Sequence, residues 1–200
     1  MESLFHLDIA ALVKAIGYVG IFAFAFAESG LLIGFFLPGD SLLFTAGFLA
    51  SQGYLNIVLL VVLAVVAAIA GDQVGYVFGK KIGRKIFKRE DSLLFHKKHL
   101  QTAEAFYEKH GKKTIVLARF MPIVRTFAPI LAGIGTMEYG VFTFYNVIGG
   151  LLWGAGLTLL GYFLGQAMPD IDKYLLPIIA VIIFVSVLPG IIHYLRSLKS

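Results

Sequence analysis

The chain has 200 residues, of which 58% are hydrophobic and 14% charged. A globular core of this size cannot bury so much apolar surface, so the composition excludes an ordinary water-soluble domain and predicts an integral membrane protein. The chain lacks cysteine, which excludes disulfides and thiolate chemistry. The net charge is +5, but 11 of the 17 Lys and Arg residues lie between residues 80 and 113. This clustering indicates a membrane loop rather than nucleic-acid binding.

Six apolar regions follow one another along the chain, each close to the roughly 20 residues that an α-helix needs to cross about 30 Å of hydrocarbon. The predicted fold class is therefore an all-α polytopic membrane protein. No signal-peptide cleavage site follows the first region, so we expect that region to be retained. In chain order the regions are Ala10–Ala27, Gly30–Ala50, Leu55–Gly79, Thr114–Met137, Tyr139–Met168 and Tyr174–Leu195.

The second apolar region is interrupted at its centre by Pro38, Gly39 and Asp40. Proline removes a backbone donor and clashes with the preceding turn, so a helix should break here. The arms on either side of the break, Ser29–Leu37 and Ser41–Ala50, have nine and ten residues. Each arm would be about 15 Å long, half of the bilayer core. We therefore predict a re-entrant hairpin over residues 30–50 that opens to the outside.

The fourth apolar region, residues 114–137, contains Arg119, Pro122, Arg125 and Pro129. Both prolines are expected to break the helix for the same reason. A second re-entrant hairpin is predicted here, opening to the cytoplasm.

An internal repeat relates the two broken regions. Gly47 and Gly133 are each followed 28 residues later by a Gly-Tyr pair, at Gly75 and Gly161, so the offset is 86 residues. Each unit would contain one hairpin that returns to its own side and one helix that crosses. The second unit must then be inserted upside down, as in inverted-repeat transporters. We predict a single membrane domain with repeat 1 at about residues 28–80, repeat 2 at about 114–168 and a C-terminal transmembrane helix at 174–195.

The basic segment, residues 80–113, is predicted to be cytoplasmic because positively charged loops stay inside, and the C-terminus should lie on the same side. Within it, Leu93–His110 has two open interpretations, an amphipathic helix on anionic headgroups or a solvated linker. His96 and His99 have a spacing that can bind metal, but no further ligand is near in sequence, and we predict no metal site.

A set of five ionisable residues lies where the membrane should be. Each costs several kcal/mol in hydrocarbon unless it pairs, meets water or holds a ligand. Mutual structural pairing is one interpretation, because three acids and two bases nearly neutralise one another. All but one, however, lie beside a predicted helix break, which pairing alone does not require. The residues are Glu28, Asp40, Asp72, Arg119 and Arg125.

The predicted site binds an anion. Asp40 and Thr126 each follow a break, and we expect them to cap half-helices whose positive ends point toward the bilayer centre. Arg119 and Arg125 would lie beside these ends, and guanidinium groups suit phosphate oxygens. The predicted substrate is therefore a lipid headgroup that bears phosphate.

Carboxylates in the same place would repel an anion while ionised. Glu28 and Asp40 are expected to take up and release protons, so that protonation frees an arginine for the substrate. Asp72 is predicted to be a secondary member of the site. Trp153 is assigned to core packing, and the Gly-Tyr pairs to close helix contact.

The residue inventory argues against catalysis. A membrane lipid phosphatase would need proline where Phe120 stands, and a CDP-alcohol phosphotransferase would need a spaced series of aspartates. We expect neither enzyme activity nor a cofactor. Two alternatives to lipid transport stay open: a proton-coupled small-ion antiporter, and a membrane scaffold without transport that would tolerate Arg125→Lys.

The residues singled out above make the sequence resemble the DedA family, also called the SNARE-associated or VTT-domain family. The resemblance runs from about Ile16 to the C-terminus, and residues 106–111 and 145–149 favour the subgroup after which the family is named. It is carried by Glu28, Phe36-Leu37-Pro38-Gly39-Asp40, Gly71-Asp72 with Gly75-Tyr76, and Ala118-Arg119-Phe120 with Pro122, Arg125-Thr126, Pro129 and Ala132-Gly133.

This resemblance implies a flippase-like or scramblase-like role in the bacterial inner membrane. The implied substrates are undecaprenyl phosphate or phospholipids such as phosphatidylethanolamine, and the implied energy source is the proton motive force. It also implies that Glu28, Asp40, Arg119 and Arg125 are the functional residues. Glycine-rich helix faces would permit a homodimer.

Overall fold

The computed structural model describes residues 9–31, 39–83, 111–135 and 137–167, which are helical with short turns and contain no strand. The all-helical fold class is therefore confirmed for these residues. Pro38, the segment 93–110 and the predicted helix 174–195 lie outside them. The helices are α1 Ile9–Gly30, α2 Gly39–Ser51, α3 Ile57–Phe78, α4 Thr114–Ala118, α5 Pro122–Ile134, α6 Tyr139–Gly150 and α7 Gly156–Ala167, with a 3-10 turn Gly111–Lys113 and π-helical turns Gly79–Gly83 and Leu151–Ala155.

Two of the helices are long and apolar enough to cross a membrane. The first runs over Ile57–Lys81, with 25 residues, and the second over Tyr139–Ala167, with 29 residues. At 1.5 Å per residue they are about 37 and 43 Å long, more than the hydrocarbon thickness. The stripe Val58, Val62 and Val66 of α3 is exposed, as expected for a face in contact with lipid.

Helix α1 bends at Gly17, whose φ of 57° lies in the left-handed region that glycine adopts without a steric penalty. The helix then runs on to Gly30, because the Leu31 amide still donates to the Ala27 carbonyl at 2.9 Å. Ser29 and Gly30 therefore belong to α1, and the predicted start of the first hairpin arm at these residues is wrong. Gly30 packs on α3 so closely that a Cβ there would overlap the Gly71 carbonyl.

The second broken region breaks where its first proline predicts. After α4, the amides of residues 119–121 donate hydrogen bonds to the carbonyls three residues earlier, so the chain narrows into a tighter turn than an α-helix. Met121 is extended, with φ −121° and ψ 104°, and α5 begins at Pro122. A residue before proline avoids the helical conformation, and proline at the first helical position loses no hydrogen bond. The predicted break at Pro122 is confirmed.

Two predictions about this region are wrong. Helix α5 continues through Pro129, which lies inside it. A membrane helix tolerates proline when neighbouring helices hold it in place, and here α5 packs on α3. Thr126 does not cap the helix, because α5 already begins four residues earlier at Pro122 and Thr126 lies buried in its second turn.

The packing of the two broken regions follows the 86-residue interval. Helix α2 packs on α7, and α5 packs on α3. Gly161 of α7 touches the Phe44 backbone of α2. At its counterpart 86 residues earlier, Gly75 of α3, a Cβ would lie 3.2 Å from Pro129 and 3.7 Å from Ile130 of α5, and Ile130 is itself the counterpart of Phe44. Each hairpin helix thus packs on the long helix of the other unit, whereas the upside-down insertion and the re-entrant course stay predictions.

Candidate functional site

The first polar cluster forms around Arg125 of α5. Its Nη1 donates to Oδ1 of Asp40 at 2.7 Å, and its Nη2 donates to Oε1 of Glu28. Glu28 comes from the end of α1 and Asp40 from the first turn of α2. Arg125 is only 3% exposed. The fold therefore brings together three of the predicted site residues, each from a different helix.

The start of α2 is built to receive the Glu28 carboxylate. A Cβ at Gly39 would overlap this carboxylate, so a larger residue there would displace the end of the Glu28 side chain. The first amides of a helix have no partners within the helix and carry partial positive charge. The positive end of α2 thus lies against a carboxylate of the protein itself.

Trp153 completes this cluster. Its indole Nε1 donates to Oδ1 of Asp40 at 2.8 Å, and its ring centroid lies 4.8 Å from Cζ of Arg125. The side chain is buried, as core packing requires, but it also contacts both members of the ion pair. Its assignment to core packing was therefore incomplete.

The second polar cluster forms around Arg119, in the turn between α4 and α5. Its Nη2 donates to Oδ2 of Asp72 at 2.6 Å and to Oδ1 of Asn146 at 2.5 Å, and it lies 3.2 Å from the Ala68 carbonyl. Asn146 in turn donates to the Ile69 carbonyl at 3.0 Å. Asp72 is thus the direct ionic partner of Arg119.

Glycines of α6 make room for the Arg119 side chain. A Cβ at Gly149 would approach Cδ and Nε of Arg119 to 2.7 and 2.9 Å. A Cβ at Gly150 would lie 3.8 Å from Nη2. The guanidinium therefore passes along the surface of α6 where that helix lacks side chains.

The two clusters together carry a surplus of acid. With all five groups ionised, three carboxylates and two guanidinium groups sum to a charge of −1. Arg125 also interacts electrostatically with Asp72, which links the two clusters. A buried unit of negative charge is costly, so a proton or a cation is expected to neutralise it.

The clusters also retain hydrogen-bonding capacity. Within the described residues, Nε and Nη1 of Arg119 and Nε of Arg125 have no hydrogen-bond partner, and neither does Oε2 of Glu28 or Oδ1 of Asp72. The site therefore has donors for an anion and acceptors for a proton. The Asp40 side chain is 19% exposed, against 3% or less for the other four charged side chains, which makes it the most exposed member of the site.

Sequence reasoning missed two members of the site, Asn146 and Trp153. Asn146 is a single amide within an apolar helix, a costly placement that indicates a partner. Trp153 is the only tryptophan and lies in a glycine-rich stretch. Among the described residues, no group of three His, Asp or Glu side chains is placed to hold a metal ion.

Known proteins resemble this chain in sequence. The family model described as the VTT domain matches residues 37–163. Protein DedA of Escherichia coli K12 is 48% identical over 207 residues, covering 100% of this chain and 94% of its own length. No solved structure matches the chain significantly.

Two further relatives are named as membrane proteins. The uncharacterized membrane protein Rv0364 of Mycobacterium tuberculosis H37Rv is 46% identical over 183 residues, covering 90% of this chain and 80% of its own length. The inner membrane protein YghB of E. coli K12 is 32% identical over 178 residues, covering 87% and 81%.

Proposed function

The chain belongs to the DedA family of VTT-domain membrane proteins, and we propose that it carries a phosphate-bearing lipid headgroup across the cytoplasmic membrane in exchange for, or together with, protons. Undecaprenyl phosphate is the proposed substrate, and a phospholipid headgroup is the alternative within the same chemistry. The names of Rv0364 and YghB identify them as membrane proteins and do not say what they carry.

The observation that carries the proposal is the double ion pair of Arg125. A buried guanidinium stays charged and needs an anionic partner. In the described state that need is met by Glu28 and Asp40. A substrate phosphate would accept hydrogen bonds from the same guanidinium nitrogens. The two carboxylates and the phosphate therefore compete for Arg125. A proton taken up by a carboxylate releases the arginine, and this exchange couples substrate binding to protons.

Arg119 supplies the second proposed phosphate contact. It holds one carboxylate, Asp72, and its Nε and Nη1 have no hydrogen-bond partner within the described part of the chain. Guanidinium groups bind phosphate oxygens through several parallel hydrogen bonds. Buried Thr126, one position after Arg125, is the third proposed contact. No catalytic step is proposed, and the headgroup leaves the site unchanged.

The apolar tail of the lipid does not need a site of its own. The outer faces of α3 and of the Tyr139–Ala167 helix are apolar and exposed. A polyprenyl or acyl chain would therefore remain in the bilayer while the headgroup enters. We propose that the two broken regions are re-entrant hairpins of an inverted repeat that alternate access to the site, with residues 80–113 and the C-terminus in the cytoplasm.

The test is headgroup translocation in proteoliposomes. Undecaprenyl phosphate is incorporated into both leaflets, and a phosphatase added outside hydrolyses only exposed headgroups. Hydrolysis beyond the outer-leaflet share measures translocation. We expect wild type to translocate and Arg125→Lys to lose at least about tenfold, because lysine cannot hold two oxygens in a fixed fork. Lys81→Arg, an equally conservative change at an exposed site, should retain full activity.

The same assay with a pH gradient tests the coupling. We expect Glu28→Gln and Asp40→Asn to remove the dependence of translocation on the gradient, because the exchangeable proton site is lost. Equal translocation by Arg125→Lys and wild type would refute the arginine site, and unchanged gradient dependence in both acid variants would refute the coupling. Cation-driven proton flux without lipid movement would establish the small-ion antiporter instead.

A further inference from the structure

Trp153 lies in the π-helical turn Leu151–Ala155, which joins α6 to α7. A π-helical turn carries an extra residue and so rotates its side chains relative to a regular helix, and such turns are frequent at functional sites. Here Trp153 and Gly154 are buried, whereas Leu151 is exposed. Gly154 is pressed on α3, where a Cβ would lie 3.2 Å from the backbone of Ala64 and Val65. The irregular turn is thus held in place and aims the indole inward.

The two contacts of the indole both favour the ionised pair. The indole N–H is a donor only, so its 2.8 Å bond to Asp40 stabilises the carboxylate form. The face of the indole attracts a cation, and Cζ of Arg125 lies 4.8 Å from its centroid. One side chain therefore contacts the acid and the base that the proposed mechanism must separate.

We propose that Trp153 is a positioning residue that holds Asp40 and Arg125 in their closed, ionised arrangement and moves when a proton opens the pair. This inference deepens the proposed function and rests on it.

Among the residues that the structure describes, the other titratable groups around Asp40 belong to the same site. Glu28 on α1 and Arg125 on α5 face it directly, and Asp72 on α3 interacts with it through Arg125. Helix α7, which packs along α2, contributes only Tyr162. The pH response of Trp153 is therefore assigned to the Glu28, Asp40 and Arg125 cluster, and single substitutions separate its members.

Trp153→Phe tests the proposal through transport. Phenylalanine keeps an aromatic face for Arg125 and loses the donor to Asp40, so Asp40 should take up its proton at a higher pH. We expect the pH of half-maximal translocation to rise by about one unit. Phe48→Leu, at a buried aromatic residue of the apolar core, should leave this pH unchanged. An unchanged midpoint in Trp153→Phe would overturn the proposal.

Intrinsic fluorescence tests it without transport, since Trp153 is the only tryptophan. In reconstituted wild type, its emission should change over the pH range in which translocation changes, and Asp40→Asn should abolish that change. Emission that does not respond to pH would overturn the proposal even if Trp153→Phe fails to fold. If wild type moves no lipid, the proposed function fails. The fluorescence titration of wild type and Asp40→Asn still decides whether the environment of Trp153 changes when Asp40 takes up a proton.

Discussion

Arg119 and Asp72 form a buried ion pair 2.6 Å apart, and each has only 1 to 2% of its side chain exposed. Removing one partner of such a pair leaves an uncompensated charge and costs about 3 to 5 kcal/mol, whereas removing both costs much less. If loss of this ion pair lowered only the stability of the fold and left translocation intact, the role of the pair would be purely structural. Combining single and double substitutions separates the two roles.

We predict that Arg119→Gln and Asp72→Asn each lower the free energy of unfolding by about 3 kcal/mol and that the double variant is more stable than either. Unfolding in detergent micelles with increasing denaturant measures this. Translocation should stay lost in the double variant, because the proposed contact of Arg119 with the substrate phosphate is absent. Additive destabilisation would contradict the buried pairing, and recovered translocation would make Arg119 purely structural.

At the level of helices, close packing depends on glycine at the crossing points. Helix α7 approaches α2 until Gly161 touches the Phe44 carbonyl, and the π-helical turn after α3 approaches α5 until Gly79 touches the Ile130 carbonyl. Lipid supplies little hydrophobic force between helices, so such backbone contact is a principal source of their association. These crossings hold α2, which carries Asp40, and α5, which carries Arg125, against the two long helices.

Gly161→Ala should therefore separate α7 from α2 and lower both stability and translocation. Gly156→Ala is the matched control in the same helix, because a Cβ there meets nothing within 4 Å. Alanine favours a helix over glycine by about 1 kcal/mol, so the control should be as stable as wild type or slightly more stable. Thermal unfolding of both variants in one detergent provides the comparison, and equal losses would refute the packing argument.

At the level of the whole molecule, the site is assembled from helices that are distant in sequence. Acids from α1, α2 and α3 meet arginines from the broken region around α5, and α6 and its following turn add Asn146 and Trp153. Each of the four described stretches of the chain thus contributes at least one side chain to this polar interior. The proposed function requires that the substrate reach this site from both sides of the membrane, and this in turn requires that α3 cross the membrane.

The chain is free of cysteine, so single cysteines report on topology. We predict that Gln52→Cys, before α3, is labelled by an impermeant maleimide from outside intact cells. Lys81→Cys, after α3, should react only once the membrane is opened, because the basic segment is expected to be cytoplasmic. Labelling of both positions from outside would contradict the crossing of α3 and with it the inverted arrangement.

The sequence was sufficient where local chemistry decides the outcome. Long apolar runs form helices of membrane length, and Met121-Pro122 ends one helix and begins another, whatever the neighbours are. It also identified the five ionisable residues of the site, because placing a charge in hydrocarbon is costly in any fold. It failed at Pro129, where packing on α3 overrides the local tendency to break.

Only the tertiary structure decided which charges meet. Arg125 pairs with Glu28 across 97 residues, and Trp153 bonds to Asp40 across 113. The sequence shows that Arg119 and Arg125 need partners, but three acids were available to each. The choice follows from which helices pack together, and glycine contacts between distant backbones set that packing. The sequence shows the repeated glycines but not which distant backbone each one meets, so the pairing appears only when the helices are assembled.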